Sequence, residues 1–77
     1  MKVKVVVTLK SGVLDPQGKA IQQTLNGMNF SSVDDVRQGK FFEINVNEND
    51  EAKAQLHVED MCKKLLANLV IEDYKIL

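Results

Sequence analysis

Residues 2–18 read KVKVVVTLKSGVLDPQG and contain a strand pattern, a break and the start of a helix. From Lys2 to Lys10 apolar residues recur at every second position, and β-branched valines dominate, which is typical of a strand. Ser11-Gly12 ends the alternation. Asp15 can cap a helix, and Pro16 suits the first turn because that position needs no N–H donor. We therefore predict a strand over residues 2–10, followed closely by a helix.

The first helix is predicted over residues 16–28. Four apolar residues recur there at helical spacing: Ala20, Ile21, Leu25 and Met28. Gly27 is the expected stop signal, although Asn29 could equally take a left-handed backbone conformation.

The middle of the chain, residues 33–47, is too long for an average strand. Phe42, Ile44 and Val46 alternate with Phe41 and polar residues, which predicts a half-buried strand. The preceding residues 38–40 favour a tight turn or a bulge. A two-stranded hairpin and one long bent strand both remain open.

The second helix is predicted to begin at residues 49–51, with a side-chain cap and an acidic first turn. A broad apolar stripe follows, and Leu56 lies off it; the stripe consists of Ala54, Val58, Met61, Cys62, Leu65 and Leu66. Asn68 is the expected left-handed cap, and residues 70–77 form the last predicted strand. The order β-α-β(β)-α-β predicts an α+β two-layer sandwich related to the ferredoxin-like arrangement, as a single domain over residues 1–77.

Charge, apolar runs, cysteine count and length each restrict the classes of function and partner that we expect. Ten Lys+Arg against eleven Asp+Glu give a net charge of −1 without a basic stripe, so we expect no nucleic-acid partner. No apolar run approaches the roughly 20 residues that cross a bilayer, so we expect no membrane partner. A single cysteine excludes an intrachain disulfide and fits a cytoplasmic protein with a reduced thiol. A chain of this length has a small core, which favours oligomerisation.

Residues that could carry chemistry are scarce. His57 is the only histidine and has no evident catalytic partner, while Cys62 falls within the apolar stripe. Adjacent carboxylates are interpreted as caps or exposed surface. The four glycines match no nucleotide-binding fingerprint. We therefore expect no catalytic, cofactor-binding or metal-binding residue on this chain, which favours a binding or assembly role.

Three blocks of sequence, in order, carry a resemblance to a known family: residues 5–18, 36–44 and 61–74. Over nearly its whole length the chain resembles the PurS family, the small subunits of phosphoribosylformylglycinamidine synthase. It departs from that family at Ser11 and at Leu69, where proline is common. These changes loosen two loops without removing a hydrogen-bonding group.

The resemblance implies a non-catalytic subunit of a ligase in de novo purine biosynthesis. The family's small chain works with a glutaminase (PurQ), which releases ammonia from glutamine, and an ATP-dependent synthetase (PurL), which uses it on formylglycinamide ribonucleotide. The resemblance further implies a bridging homodimer or dimer of dimers that supports ammonia transfer. It places ATP and magnesium on the synthetase and no cofactor on this chain.

Two sets of residues are candidates for contacts. Those for partner contact, which are also typical of local turn geometry, are Asp15, Pro16, Gln17, Gly18, Arg37, Gly39 and Lys40. Those for self-association, together with the first strand, are Phe41, Ile44 and Val46. The alternative function is an amino-acid-sensing regulatory domain that binds its ligand at a dimer interface. An RNA-binding module, suggested by the aromatic pair after Gly39-Lys40, ranks third, and a free-standing enzyme ranks last.

Overall fold

In a computed structural model that describes residues 1–77, the chain forms a three-stranded sheet and two α-helices. The elements in chain order are β1 (Lys2–Leu9), α1 (Pro16–Gly27), β2 (Gly39–Asn45), α2 (Glu51–Met61) and β3 (Glu72–Ile76). A π-helical turn, Cys62–Leu66, continues α2. The α+β class predicted from the sequence is confirmed. No helix of the chain has the length and apolarity to cross a bilayer.

The alternating strand β1 is the centre of the sheet. The strand order is β2-β1-β3, and both neighbours pair with β1 in antiparallel fashion. Val5 faces Phe42 on one side and Ile76 on the other. Since successive side chains of a strand point to opposite faces, the alternation gathers Val3, Val5 and Val7 on one face, and all three are buried there.

Helix α2 covers this apolar face. Ala54, Val58 and Cys62 recur at intervals of four residues and are fully buried against the valines of β1. Burial of a side chain such as Val58 contributes about 1.5–3 kcal/mol. The stripe predicted from the sequence is thus confirmed in its centre.

The π-helical turn changes which residues of the stripe reach the core. The N–H of Ala67 donates to the carbonyl oxygen of Cys62 at 3.0 Å, which adds one residue to the turn. Leu66 packs against the core, whereas Met61 and Leu65 are exposed. The predicted apolar stripe is therefore only partly buried: Leu65 lies in the wider turn, where the ideal helical period does not continue, and Met61, the last residue of α2, lies at the margin of the stripe.

Helix α1 lies largely outside this core. Asp15 caps it and Pro16 opens it, as predicted, and Gly18 is its only buried residue. The chain measures 49 × 24 × 14 Å, and its radius of gyration is 15.9 Å. A compact domain of this length would have a radius of gyration of about 11–12 Å. The single chain is therefore elongated, and only α2 forms the second layer over the sheet.

Two local expectations are corrected, and one open alternative, at the end of α1, is resolved. Residues 33–47 form neither a hairpin nor one long strand, because residues 33–38 are irregular and β2 starts at Gly39. Asn29, with φ of 73°, takes the left-handed conformation that Gly27 does not adopt. Asn68 is not left-handed; its side chain accepts a hydrogen bond from the N–H of Val70 at 3.2 Å, and the turn that follows delays the last strand to Glu72.

Candidate partner-contact site

Two segments that are distant in sequence meet beside the sheet. Residues 15–18 open α1, and residues 37–40 lead into β2. The carboxylate of Asp15 joins them, because its Oδ1 accepts from the N–H of Gly18 at 2.9 Å and its Oδ2 from the N–H of Gln38 at 2.7 Å. We call these two segments the α1–β2 junction. It contains all seven residues predicted as partner-contact or turn residues.

Asp15 is the central residue of the junction. It precedes the helix in an extended conformation, and the residue is buried, with 6% of its surface exposed. The N–H groups of Gln38 and Gly18 stabilise the carboxylate, so they hold its pKa below the ordinary value; burial opposes this, and the charge of Arg37 adds to it. The group is therefore ionised at neutral pH and ties the helix start to the chain before β2.

Two glycines of the junction permit close packing, Gly18 against the segment before β2 and Gly39 against β1. A Cβ added at Gly18 would collide with the carbonyl oxygen of Val36 and would lie 2.8 Å from Oδ2 of Asp15. A Cβ added at Gly39 would lie 2.6 Å from the carbonyl oxygen of Val7. Both positions therefore require glycine for packing, whether or not a partner contacts them.

Arg37 fixes the loop between β1 and α1. Its Nη2 donates to the carbonyl oxygens of Lys10 and Val13, each at 3.0 Å, and more weakly to that of Leu9 at 3.4 Å. These bonds tie three carbonyl groups around the β1–α1 loop to the segment before β2; that of Lys10 also accepts from the N–H of Val13 at 2.9 Å. The residue nevertheless stays exposed, so it remains accessible to another chain.

An open cleft of about 250 Å³ lies between the junction and β3. Leu9 and Val7 line it together with Pro16 and Gln17 of the helix start and Gln38 and Gly39 before the strand. Charged groups occupy its mouth: Nζ of Lys40 lies 3.9 Å from Oε2 of Glu72. The Lys40 side chain is mostly exposed, and that of Glu72 is mostly covered. Two apolar side chains, Val7 and Leu9, and a larger number of polar and charged residues therefore line the cleft.

Sequence reasoning missed Gln38 and Glu72 as members of this site. Gln38 contributes its backbone N–H, and any residue except proline could do the same, so no side-chain signal marks it. Glu72 enters because it pairs with Leu9 across the β1–β3 register. That pairing cannot be read from the chain before the strand order is known.

The three self-association candidates do not form one surface. Phe41 lies on the outer face of β2 and is 55% exposed. Ile44 and Val46 face the other way and pack half-buried against the core. What they share is the outer edge of the sheet, since β2 pairs with β1 on one side only.

The two residues with potential reactivity lie elsewhere. His57 is exposed on α2. Cys62 is buried in the core, and burial, with a smaller effect of the charge of Glu59, raises the pKa of its thiol. The thiol is therefore protonated and shielded at neutral pH.

Known proteins share this fold and much of this sequence. The family model described as "PurS: Phosphoribosylformylglycinamidine (FGAM) synthase" matches residues 2–77. Phosphoribosylformylglycinamidine synthase subunit PurS of Bacillus subtilis is 53% identical over 74 residues, which cover 96% of this chain and 87% of that protein. Methanocaldococcus jannaschii PurS, described as one of the subunits of formylglycinamide ribonucleotide amidotransferase in the purine biosynthetic pathway, is 47% identical. Its structure superposes with a TM-score of 0.88 over 99% of this chain and 92% of that one.

A chain in the structure of PurLQS from Thermotoga maritima is also similar. It superposes with a TM-score of 0.87 at 30% identity, over 100% of this chain and 96% of that chain. The family model and the curated relatives each cover more than nine-tenths of this chain. The chain therefore belongs to the PurS family, the small subunits of phosphoribosylformylglycinamidine synthase.

Proposed function

We propose that this chain joins the glutaminase PurQ to the ATP-dependent synthetase PurL and so supports ammonia transfer from glutamine to formylglycinamide ribonucleotide. The observation that carries the proposal is the full-length similarity to a chain of PurLQS from Thermotoga maritima. The membership in this family favours an assembly role over an amino-acid-sensing domain. The chain would act in the cytoplasm, with ATP and magnesium bound by the synthetase.

The chemistry gives a reason for such a subunit. Ammonia released into bulk water would be diluted and largely protonated before it met a second active site. A chain that holds both enzymes raises the effective concentration of one site at the other without adding any catalytic group. A symmetric oligomer presents each surface more than once, so it can hold two different proteins together.

The α1–β2 junction is the surface that we assign to partner contact. Its backbone is fixed by Asp15 and Arg37, so exposed side chains such as Gln17 and Lys40 are presented from a rigid support. Rigid support reduces the entropy lost on binding. Self-association would use the open edge of β2 with Phe41, since an unpaired edge can extend its hydrogen bonding into another chain.

Activity measurements test the coupling directly. Product formation by the purified glutaminase and synthetase is measured with glutamine and, separately, with added ammonia, each with and without this chain. We expect the chain to restore the glutamine-dependent reaction and to leave the ammonia-dependent reaction nearly unchanged. Equal rates of glutamine-dependent product formation with and without the chain would refute the coupling role.

A variant of the junction tests the assigned surface. Lys40→Ala removes an exposed charge at the mouth of the cleft, whereas Lys53→Ala removes an exposed charge from α2 and serves as the control. We expect Lys40→Ala to weaken binding to the two larger proteins by roughly two- to fivefold, because a charge at an interface rim has a modest effect. If titration gave equal affinities of both variants for the larger proteins, Lys40 would not lie at the interface.

A further inference from the structure

The cleft beside the α1–β2 junction contains two charged side chains on the face of the sheet that is otherwise apolar. Val7 pairs with Lys40 on β2, and Leu9 pairs with Glu72 on β3. Residues directly opposite each other on antiparallel strands point to the same face, so Lys40 and Glu72 share the face of the buried valines of β1. Both line the cleft. The apolar face of the sheet therefore ends in an open cleft that is flanked by opposite charges.

The carboxylate of Glu72 is fixed in this cleft, but the chain uses only one of its oxygens. Its side chain is 14% exposed. Oε1 accepts a hydrogen bond from the N–H of Asn68 at 2.7 Å. The nearest cation to Oε2 is Nζ of Lys40, at 3.9 Å, which is too long for a hydrogen bond. Oε2 is therefore a mostly covered acceptor that has no hydrogen-bond donor from its own chain.

The charges that line the cleft do not cancel. They are two carboxylates, of Asp15 and Glu72, and one ammonium group, of Lys40. The hydrogen bonds of Asp15 come from backbone N–H groups, which are neutral, so its negative charge remains. The side chain of Lys40 is 64% exposed, and an ion pair with such an exposed partner is weak. The cleft therefore favours a cation over an anion or a neutral group.

A guanidinium group suits the cleft better than an ammonium group. It is planar, it can bond both oxygens of a carboxylate, and it is less strongly hydrated than an ammonium group. The alkyl stem of an arginine can pack on the half-buried side chain of Leu9 and on the exposed ring of Pro16. Arginine is also enriched in protein interfaces, where lysine is depleted.

A second copy of this chain is a poor source of the guanidinium group. Arg37 is the only arginine of the chain. Its Nη2 donates to the carbonyl oxygens of Lys10 and Val13, each at 3.0 Å, so it would have to leave the β1–α1 loop to enter a cleft elsewhere. We propose that the cleft receives an arginine side chain of one of the two larger proteins, with its guanidinium group on Glu72.

This inference rests on the proposed function and names the chemistry of the contact that the function requires. The arginine would replace Lys40 as the cation nearest to Oε2 of Glu72. Lys40 would then stay at the mouth of the cleft, where it can meet an acidic residue of the same partner. A contact at the mouth is more exposed to solvent than one within the cleft, so Glu72 should contribute more to binding than Lys40 does.

Titration of each larger protein with the full chain tests the proposal. Glu72→Gln removes the charge and keeps an oxygen that can accept from the N–H of Asn68. We expect it to raise the dissociation constant for one of the two proteins about tenfold or more. Asp73→Asn is the matched control, because it removes a charge from the next residue of β3, on the opposite face of the sheet. We expect its dissociation constant to stay within about twofold.

Comparison with Lys40→Ala separates an arginine contact from a merely structural ion pair. Both Lys40→Ala and Glu72→Gln break the pair between Lys40 and Glu72, so a role of that pair alone would give equal losses of affinity. We expect Glu72→Gln to lose clearly more affinity than Lys40→Ala.

A second measurement needs no partner protein and also shows whether the variant is folded. Nα-acetylarginine amide is added to the ¹⁵N-labelled full chain, and the amide signals are followed by NMR. We expect shifts centred on Gly39 and Glu72, which line the cleft. Glu72→Gln should keep the signals of a folded chain and lose these shifts. Nα-acetyllysine amide should cause smaller shifts than the arginine compound.

Unchanged affinity of Glu72→Gln for both larger proteins would overturn the proposal, as would equal losses for Glu72→Gln and Lys40→Ala. Absent shifts with the arginine compound, or equal shifts with the lysine compound, would overturn the assignment to arginine. If the unsubstituted chain restores the glutamine-dependent reaction while Glu72→Gln binds normally, only this inference fails. If the unsubstituted chain binds neither larger protein, the proposed function fails with it.

Discussion

At the scale of single residues, Asp15 connects the sequence to the candidate site. Its carboxylate caps α1 through the N–H of Gly18 and holds the N–H of Gln38, 23 positions away. One short polar side chain thereby satisfies backbone donors on two elements. The same contacts position Lys40 and the cleft beside it.

Stability should depend on pH through Asp15. Its pKa is lower in the folded chain than the ordinary value of 3.8. The carboxylate therefore contributes stability that is fully present above the pKa of the unfolded chain and is lost as the pH falls through the folded pKa. We expect Asp15→Asn to lower the urea midpoint at about pH 7 and the difference from the unsubstituted chain to shrink below about pH 4.

Asp34→Asn, at an exposed position outside the junction, is the matched control for this titration and should follow the unsubstituted chain. A constant difference between Asp15→Asn and the unsubstituted chain from neutral to acid pH would contradict the role of the carboxylate charge.

Two glycines of the same helix should respond in opposite ways to alanine. Gly18→Ala brings a methyl group against the carbonyl oxygen of Val36, so we expect a loss of about 1–3 kcal/mol. A Cβ at Gly27 meets nothing within 4 Å, and its φ is negative. We expect Gly27→Ala to be neutral or to stabilise by up to about 1 kcal/mol. Urea unfolding measures both, and equal shifts would refute the packing argument.

At the scale of elements, the pairing of β1 with α2 carries the core. Val58→Ala should cost about 1–3 kcal/mol, because the methyl groups removed lie in a fully buried position between helix and sheet. Leu56→Ala, two residues earlier on the exposed side of α2, should change the free energy of unfolding by less than about 0.5 kcal/mol. A similar loss at both positions would show that α2 is docked in another orientation.

Sequence periodicity predicted β1 and α2 correctly because each of them buries only one of its faces. The alternation of β1 and the four-residue interval of Ala54, Val58 and Cys62 follow directly from a single buried face. The irregular segment 33–38 could not be predicted from a local pattern. The N–H of Gln38 donates to the carboxylate of Asp15, and the side chain of Arg37 donates to a carbonyl oxygen of the β1–α1 loop, which is distant in sequence. These contacts depend on the fold and leave no local pattern.

The candidate site, too, was predicted from the sequence only in part. The residues of both segments were identified from the sequence as candidates for partner contact, since turn residues beside charged ones are visible there. Their meeting in one junction was not predicted, and neither was the cleft that Glu72 completes across β1. The apolar side of α1 was predicted from its spacing, but a helical stripe does not tell whether its own sheet or another chain covers it.

At the scale of the whole molecule, the elongated chain should be stabilised by association. Only nine of the 77 residues are buried in the single chain. Only the folded chain associates, so association stabilises it against unfolding. The melting temperature should therefore rise by a few degrees for each tenfold increase in protein concentration. A melting temperature of the unsubstituted chain that is independent of concentration would contradict an associating chain.

The central claim is that this chain holds the glutaminase and the synthetase in one assembly. The most direct measurement is the mass, by light scattering after size exclusion, of the two enzymes mixed with and without the chain. The account predicts a species containing all three proteins when the chain is present and separate enzymes when it is absent. A complex of the two enzymes that forms equally well without the chain, or enzymes that stay separate in its presence, would contradict it.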